Sequence, residues 1–168
     1  MEAPALDLRP ITDTDLSFLQ ALYASTRQDE MAATGWNEQQ IAEFLAMQFS
    51  AQHHHYQQHY PKAHFDLILV GDEPIGRLYL DEWDDEFRLI DIALIPTYRN
   101  RGLGTRLLRD VLDRAEAAGK AVRIHVEHFN PALRWYQRLG FYELEDKGVY
   151  CFMEWKPGCE HHASHVVR

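Results

Sequence analysis

The chain has 168 residues, 46% hydrophobic and 26% charged, a composition typical of a globular protein that is large enough to form a core. Its formal net charge of −9 argues against nucleic acid or an anionic membrane as a partner. Two cysteines, no membrane-span-length apolar run and no basic-then-apolar N-terminal signal predict a cytoplasmic protein. We expect one domain over residues 1–157 and a flexible tail over 158–168.

The first sixty residues predict a strand and two helices. The alternation over Leu6–Ile11 is typical of an edge or near-edge strand, and residues 12–13 can cap the helix that follows. Residues 25–35 break the helical spacing and predict an exposed connection. A second helix is expected from Asn37 to Pro61.

The second helix carries a cluster of histidines near its C-terminal end: His53, His54, His55 and His59. The last two are four residues apart, so one face of the helix could hold a metal ion. No cysteine or carboxylate set accompanies them, and no HExxH pattern occurs. We therefore favour an exposed polar face over a metal site.

The middle of the chain predicts an antiparallel meander followed by a parallel crossover. Short turns join three β segments, Ala63–Val70, Pro74–Leu80 and the strand that begins at Phe87. Helical spacing then begins at Leu103 and stops at Gly119, and another strand follows over 121–126. Strand, helix and strand form a βαβ unit, in which the two strands are parallel and the crossover is right-handed.

A basic turn over residues 96–105 connects strand to helix in this unit. Gly102 and Gly104 would allow a ligand to approach the backbone, and the helix start supplies N–H groups for an anion. Three nearby side chains add positive charge: Arg99, Arg101 and Arg106. An unliganded connection explains the same residues. A Rossmann fingerprint is excluded because Leu107 stands at its third glycine position, and no Gly-Lys-Ser/Thr phosphate loop occurs.

A second pattern follows the last strand of the crossover. Asn130 and Pro131 predict the capped start of a short helix, and Gly140 predicts its end. Tyr136 lies four residues before that glycine, and a tyrosine of the hydrophobic core with a paired hydroxyl would account for it. A final hairpin is expected, with strands over 142–146 and 149–155.

Together, the two patterns resemble the two motifs of the GNAT superfamily of acyl-CoA-dependent N-acyltransferases. Arg99-x-x-Gly102-x-Gly104 resembles the loop that holds the pyrophosphate of acyl-CoA. Asn130-x-Ala132-x-x-x-Tyr136-x-x-Leu139-Gly140-Phe141 resembles the second motif, and the order of elements matches over nearly the whole chain. The resemblance implies an α/β (α+β) protein of the GNAT fold, with a central mixed sheet of six to seven strands, flanking helices and one parallel βαβ unit.

The resemblance implies direct transfer of an acetyl group from acetyl-CoA (coenzyme A) to a primary amine. The implied cofactor-binding residues are Leu94, Ile95, Arg99, Asn100, Arg101, Gly102, Leu103, Gly104, Thr105 and Asn130. Backbone amides of 101–105 would hold the pyrophosphate, and Leu94 and Ile95 would pair with the pantetheine arm. A backbone N–H of one of these two could also stabilise charge on the carbonyl oxygen. Tyr136 would protonate the departing thiolate, a role that suits a phenol with a pKa of about 10.

The general base is the least determined part of this mechanism. Family members often place a carboxylate on the central strand, where this chain has Glu86, Arg88 and Asp91, and Arg88 can occupy the usual carboxylate position. Our hypothesis for the base is Asp91, because it lies inside an otherwise apolar strand. A paired structural aspartate is an equal alternative, and Glu82 and Glu127 are reserves.

The sequence does not distinguish a small-molecule amine from an amine of a protein or peptide as the acceptor. The family builds its acceptor pocket from the first two helices and the late hairpin, which here would bring Arg27, Asp29, Glu30, Trp36 and Tyr150. A solvated loop with one anchoring tryptophan is the alternative for these residues. Dimers are common in the family, so a homodimer is one assembly that this chain could form. The competing function is a non-catalytic, regulatory acyl-CoA-binding module, which would bind acetyl-CoA without turnover.

Overall fold

The computed structural model of the protein describes residues 4–158. The strands are β1 (Leu6–Pro10), β2 (His64–Val70), β3 (Glu73–Glu82), β4 (Glu86–Leu94), β5 (Ala121–Glu127), β6 (Tyr142–Lys147) and β7 (Tyr150–Trp155). The helices are α1 (Leu16–Ser25), α2 (Gln28–Ala32), α3 (Glu38–His59), α4 (Leu103–Ala118) and α5 (Ala132–Arg138). Within this part of the chain, none of the helices combines the length and the apolar character that crossing a membrane requires.

The strands form a seven-stranded mixed sheet in the order β1-β2-β3-β4-β5-β7-β6. β4 and β5 are parallel, with Glu86–Arg88 paired to Ala121–Arg123. β1 pairs antiparallel with β2 at one edge, and β7 pairs antiparallel with both β5 and β6. The predicted fold class, a mixed sheet with flanking helices and one parallel βαβ unit, is therefore confirmed.

Contacts between residues divide the chain into two compact units. Unit 1 contains the residues up to Tyr79 together with Asp91–Gly104, and unit 2 contains Leu80–Ile90 and the chain from Thr105 onward. β3 and β4 therefore contribute residues to both units. The single domain over 1–157 stays a prediction. Of the predicted tail, only Gly158 is described, and the rest lies outside the described residues.

The core of unit 1 joins α1, α2, α3 and β2 through a cluster of buried side chains: Leu19, Tyr23, Met31, Leu45, Phe49 and Leu67. α3 begins next to Asn37, as expected, and Asn37 caps it, because its side chain accepts a hydrogen bond from the Gln40 N–H at 2.8 Å. The Gln40 side chain accepts one from the Asn37 N–H at 3.0 Å. This capping box satisfies two N–H groups that the first turn would otherwise leave unpaired.

The connection over residues 25–35 differs from the expectation of an exposed loop. It contains the short helix α2, and Met31 is only 7% exposed in the core of unit 1. Residues 28–30 and 32–35 are exposed as expected, but the helix and the burial of Met31 were missed, because Met31 is the one large apolar residue in a polar run and one residue gives no periodicity to detect.

In unit 2, β5 separates two kinds of side chain. Val122, Ile124 and Val126 are buried, and the alternating residues Arg123 and His125 are half-buried. Successive side chains of a strand point to opposite faces, so these two sets lie on opposite faces of β5. α5 contacts β5, and its buried residue is Tyr136.

Gly76 allows the backbone of β3 to approach residues at the end of β4 in unit 1. A Cβ at this position would lie 2.2 Å from the carbonyl oxygen of Ala93 and 2.8 Å from Cδ2 of Leu94. We expect Gly76→Ala to lower the free energy of unfolding by about 3 kcal/mol, because backbone must move to admit the methyl group. Urea unfolding followed by circular dichroism would measure this loss.

Gly35→Ala is the control for this substitution. Gly35 has a φ of +77°, and an added Cβ would have no atom within 4 Å, so only the backbone strain of about 1–2 kcal/mol is expected. Equal losses in the two variants would show that the close approach at Gly76 does not matter for stability.

Candidate functional site

The turn between β4 and α4 has a backbone suited to anion binding. Asn100 and Gly102 have left-handed φ values of +62° and +78°, a conformation from which anion-binding nests of N–H groups are built. A Cβ on Gly102 would have no atom within 4 Å, so a ligand can approach the backbone there. α4 begins at Leu103, which puts Gly104 in its first turn, where free N–H groups and the helix dipole favour an anion.

Arg99 positions this turn within unit 1. Its Nε donates to the carbonyl oxygen of Leu94 at 2.8 Å, and its Nη2 donates to the hydroxyl oxygen of Ser25 on α1, also at 2.8 Å. The resemblance assigns Arg99 to the cofactor, but these contacts hold the end of β4 and the C-terminal end of α1 together. Arg101 is exposed, and its guanidinium carbon lies 5.0 Å from the centre of the Tyr98 ring.

Of Leu94 and Ile95, the two residues expected at the pantetheine arm, Ile95 has a backbone N–H that is engaged within the protein. The Ile95 N–H donates to the carbonyl oxygen of Ile75 at 2.8 Å. It is therefore used within unit 1 and is a poor candidate for stabilising charge on a substrate oxygen. Of the two N–H groups that the sequence suggests, that of Leu94 is the remaining candidate.

In unit 2, α5 is tied to the start of α4. The indole Nε1 of Trp135 donates to the hydroxyl oxygen of Thr105 at 2.8 Å. Next to it, Tyr136 is 3% exposed, and its ring centre lies 4.9 Å from that of Trp135 and 5.6 Å from that of Phe141. The last residue of the predicted diphosphate turn and the helix that carries the predicted acid are thus held together by one hydrogen bond.

α5 begins two residues after Asn130 and ends two residues before Gly140. The Asn130 side-chain oxygen accepts a hydrogen bond from the Ala132 N–H at 2.9 Å, but the residue at the N-cap position is Pro131 rather than the predicted Asn130. After the helix ends at Arg138, Gly140 has a φ of +106°, a left-handed conformation that ends helices.

Asp91 has the partner that the structural alternative requires. Its Oδ2 accepts a hydrogen bond from Nε of Arg77 at 2.6 Å, and the Arg77 side chain is 4% exposed whereas that of Asp91 is 30% exposed. Nη2 of Arg77 also donates to Oε1 of Gln52 on α3 at 2.9 Å. A buried guanidinium needs such a counterion, so the geometry supports the structural alternative for Asp91.

The other carboxylates considered as the base are also engaged. Glu86 is 3% exposed, and it pairs with Arg88 at 2.9 Å and with Arg123 at 2.6 Å. Glu82 pairs with Lys120 at 2.8 Å, and Glu127 also interacts with another group. All four carboxylates that the sequence suggested as the general base, including Asp91, therefore have interaction partners.

Arg123 extends the Glu86 pair into a network across unit 2. Its Nη2 lies 2.6 Å from Oε2 of Glu154, a carboxylate that is 1% exposed and also accepts a hydrogen bond from the Tyr142 hydroxyl. Burial and this hydrogen bond to Glu154 raise the pKa of Tyr142 to about 12. The network links β4, β5, β6 and β7, and sequence reasoning did not find it because its members lie 12 to 37 residues apart.

The residues expected in the acceptor pocket make mostly local contacts. Arg27 pairs with Glu30 at 2.9 Å, and Trp36, 43% exposed, packs edge-on against Phe44 with ring centres 5.2 Å apart. This packing supports the alternative of an anchoring tryptophan. Tyr150, in unit 2, is 46% exposed.

Two of the four histidines of α3 lie side by side, with their ring planes tilted by 31°. The ring centres of His55 and His59 are 4.0 Å apart, and both residues are exposed. Between Pro4 and Gly158, no group of three or more His, Cys, Asp or Glu residues could hold a metal ion.

Comparison with known proteins identifies one family over most of the chain. The sequence model described as "Acetyltransferase (GNAT) family" matches residues 21–141, a segment that includes both motifs. Comparison with curated protein sequences gives no match.

Solved structures support the same fold. The chain is similar to the PaiA N-acetyltransferase of Thermoplasma acidophilum in complex with coenzyme A, with 20% identity and a TM-score of 0.68 over 90% of this chain and 99% of that one. It is also similar to a GNAT family acetyltransferase of Elizabethkingia anophelis with acetyl-CoA bound, with 17% identity and a TM-score of 0.57 over 90% and 97%. The ribosomal-protein-S18-alanine N-acetyltransferase of Escherichia coli is 20% identical, with a TM-score of 0.58 over 90% and 94%. At these identities, the likeness shows the fold.

Removing the charge of Asp91 tests whether it is chiefly the counterion of Arg77. Breaking a buried ion pair costs about 3–5 kcal/mol, and the partial exposure of Asp91 reduces our expectation for Asp91→Asn to about 2–3 kcal/mol of unfolding free energy. Urea unfolding would measure it.

The control is Glu30→Gln, which removes a carboxylate that is 61% exposed and paired with Arg27, and which should cost less than about 0.5 kcal/mol. If Asp91→Asn unfolds like the wild type, Asp91 is free for another role and its assignment as a counterion fails.

Proposed function

The chain belongs to the GNAT family of acetyltransferases, and from that premise we propose that it transfers an acetyl group from acetyl-CoA to a primary amine by direct attack. The observation that carries this proposal is the link between its two motifs in unit 2. Thr105, at the start of α4, accepts the hydrogen bond that fixes Trp135, and Trp135 is followed by the buried Tyr136. Diphosphate binding and proton donation are the two functions that such a link would coordinate.

The residues of the β4–α4 turn fit the diphosphate of acetyl-CoA. The left-handed Asn100 and Gly102, the open space above Gly102 and the first turn of α4 supply backbone N–H groups without a carboxylate among residues 99–105. In this proposal the amides of 101–105 bind the diphosphate. Leu94 and Asn130 contact the arm of the cofactor, and Arg99 holds the turn in place.

Tyr136 is proposed as the acid. The thiol that leaves has a pKa of about 8.5 by analogy with cysteine, so a phenol of about 10 can protonate its thiolate while itself remaining protonated at neutral pH. The N–H of Leu94 is proposed to stabilise the negative charge that builds on the carbonyl oxygen. Asp91 is the base suggested by the sequence, although its pairing with Arg77 favours a supporting role.

The acceptor is proposed to be a primary amine of a small molecule, a peptide or a protein. One structural neighbour is named for acetylating an alanine of ribosomal protein S18, which makes peptide N-termini a natural part of an acceptor panel. The cytoplasmic location and the homodimer stay predictions.

Release of coenzyme A from purified protein, acetyl-CoA and a panel of amines tests the activity and the role of Tyr136 together. We expect Tyr136→Phe to lower kcat about 100-fold and to change the dissociation constant of acetyl-CoA, measured by calorimetry, less than about 2-fold. Tyr60→Phe removes a hydroxyl from a residue outside both motifs and should have wild-type kinetics. Parallel losses of rate and binding in Tyr136→Phe would remove the acid role. Binding without thiol release by the wild type would favour the non-catalytic module.

Gly102→Ala tests whether the turn binds the diphosphate. An alanine at a left-handed position costs about 1–2 kcal/mol, so relaxation of the turn should weaken acetyl-CoA binding about 10-fold. Turnover of acetyl-pantetheine, which has no diphosphate, should be nearly unchanged.

Gly119→Ala is the matched control, since Gly119 has a φ of +68° and no atom within 4 Å of an added Cβ, but follows the C-terminal end of α4. It should bind acetyl-CoA like the wild type. If Gly102→Ala impairs the reactions of acetyl-CoA and acetyl-pantetheine equally, the turn does not act through the diphosphate.

A further inference from the structure

We infer that the side chain of His125 accepts the proton from the attacking amine. The inference deepens the proposed function and rests on it, because it names a catalytic residue for the same acetyl transfer. No sequence motif identifies His125 as a catalytic residue. It lies in a strand where buried and half-buried residues alternate, and that alternation is enough to account for a histidine at this position.

The position of His125 separates it from the proposed acid. Tyr136 is the buried residue of α5, and α5 contacts β5, the strand whose buried residues are Val122, Ile124 and Val126. His125 alternates with these and lies on the opposite face of the same strand. His125 and Tyr136 thus belong to different elements, so one can serve the incoming nitrogen and the other the leaving sulfur.

The surroundings of His125 leave its ring nitrogens available. The ring stacks on Phe152 of β7, with centres 4.5 Å apart and planes at 29°, and Tyr150 is edge-on at 6.4 Å. These contacts fix the plane of the imidazole through its faces and edge. Among residues 4–158, no side chain or backbone group forms a hydrogen bond with either nitrogen, and the residue is half-buried.

Other groups on this face do not suit the task. Arg123 is a cation held by Glu86 and Glu154, and Glu86 is occupied by two arginines. Glu127 already interacts with another group. His125 is the neutral, half-buried base that this face of β5 offers.

The charges around His125 favour the neutral ring. Burial, then the positive charges of Arg88 on β4 and Lys147 on β6, lower the pKa of His125 from its ordinary value near 6.5. Glu86 and Glu145 act in the opposite direction without reversing this. At neutral pH the imidazole therefore carries a free lone pair, as a general base must.

The proposed step is balanced. The amine nitrogen forms a bond to the acetyl carbonyl carbon as the carbon–sulfur bond breaks. His125 takes one proton from that nitrogen, and Tyr136 gives one proton to the sulfur. Water then returns a proton from the imidazolium to the phenolate, so the products are the amide and the free thiol of coenzyme A.

The test compares wild type, His125→Gln and His54→Gln with an accepted amine between about pH 5 and pH 9. His54 is an exposed histidine of α3 and serves as the control. We expect His125→Gln to lower kcat about 100-fold or more while the dissociation constant of acetyl-CoA changes less than about 2-fold. The wild-type kcat should rise with pH to a half-maximum below pH 6.5, since the base works only when deprotonated, and this rise should be missing from His125→Gln.

Chemical rescue adds a measurement that a structural role would not affect. Free imidazole should restore part of the rate of His125→Ala, because the cavity left by the ring can admit it. A His125→Gln enzyme with wild-type kcat and pH profile overturns the inference, as does a variant whose binding and thermal stability fall together with its rate without rescue. A wild type that binds acetyl-CoA but acetylates no amine overturns the proposed function itself, and the inference with it.

Discussion

The guanidinium of Arg99 fixes the turn on which the candidate site depends. It bonds the last carbonyl of β4 and a hydroxyl at the end of α1, so the chain must leave the strand in one direction before it enters α4. Next in the chain come Asn100 and Gly102, both in a left-handed conformation, and the space next to Gly102 is open. Because the Arg99 side chain is used for positioning, our proposal assigns the anion to peptide N–H groups, whose geometry is set by the backbone and costs no side-chain entropy.

β5 contributes functional or structural side chains from both of its faces in unit 2. One of its faces carries the buried Val122, Ile124 and Val126, and its other face carries Arg123 and His125. Arg123 pairs with Glu86 of β4 and Glu154 of β7, so two buried carboxylates share one guanidinium, and neighbouring strands are cross-linked by charge. Such a network offsets its desolvation only when its geometry is well satisfied. On the same face, the imidazole of His125 stacks on Phe152 instead of joining this network.

The sequence predicted the order of the strands and of the helices other than α2, the start of α3 near Asn37, and the helix-ending glycines, because these depend on local chemistry and on the spacing of apolar residues. It missed α2, where Met31 alone is buried in a polar run. It also missed the Glu86–Arg123–Glu154 network and the stacking of His125 on Phe152, because partners far apart in sequence meet only through sheet pairing. The partner of Asp91 was easier to predict, since Arg77 lies 14 residues away in the preceding strand of the same meander. A search for an opposite charge there would have found it.

The hydrogen bond from Trp135 to Thr105 gives the molecule an intrinsic optical reporter. Indole emission responds to the polarity and charge around its N–H. The indole N–H of Trp135 donates a hydrogen bond to Thr105, which is the unit 2 residue of the proposed diphosphate-binding turn. The chain has four tryptophans, and of the other three, Trp36 and Trp83 are exposed and Trp155 is buried among β7 residues. Occupation of the turn by a diphosphate would therefore alter the fluorescence spectrum chiefly through Trp135, so ligand affinity could be followed by light without any attached dye.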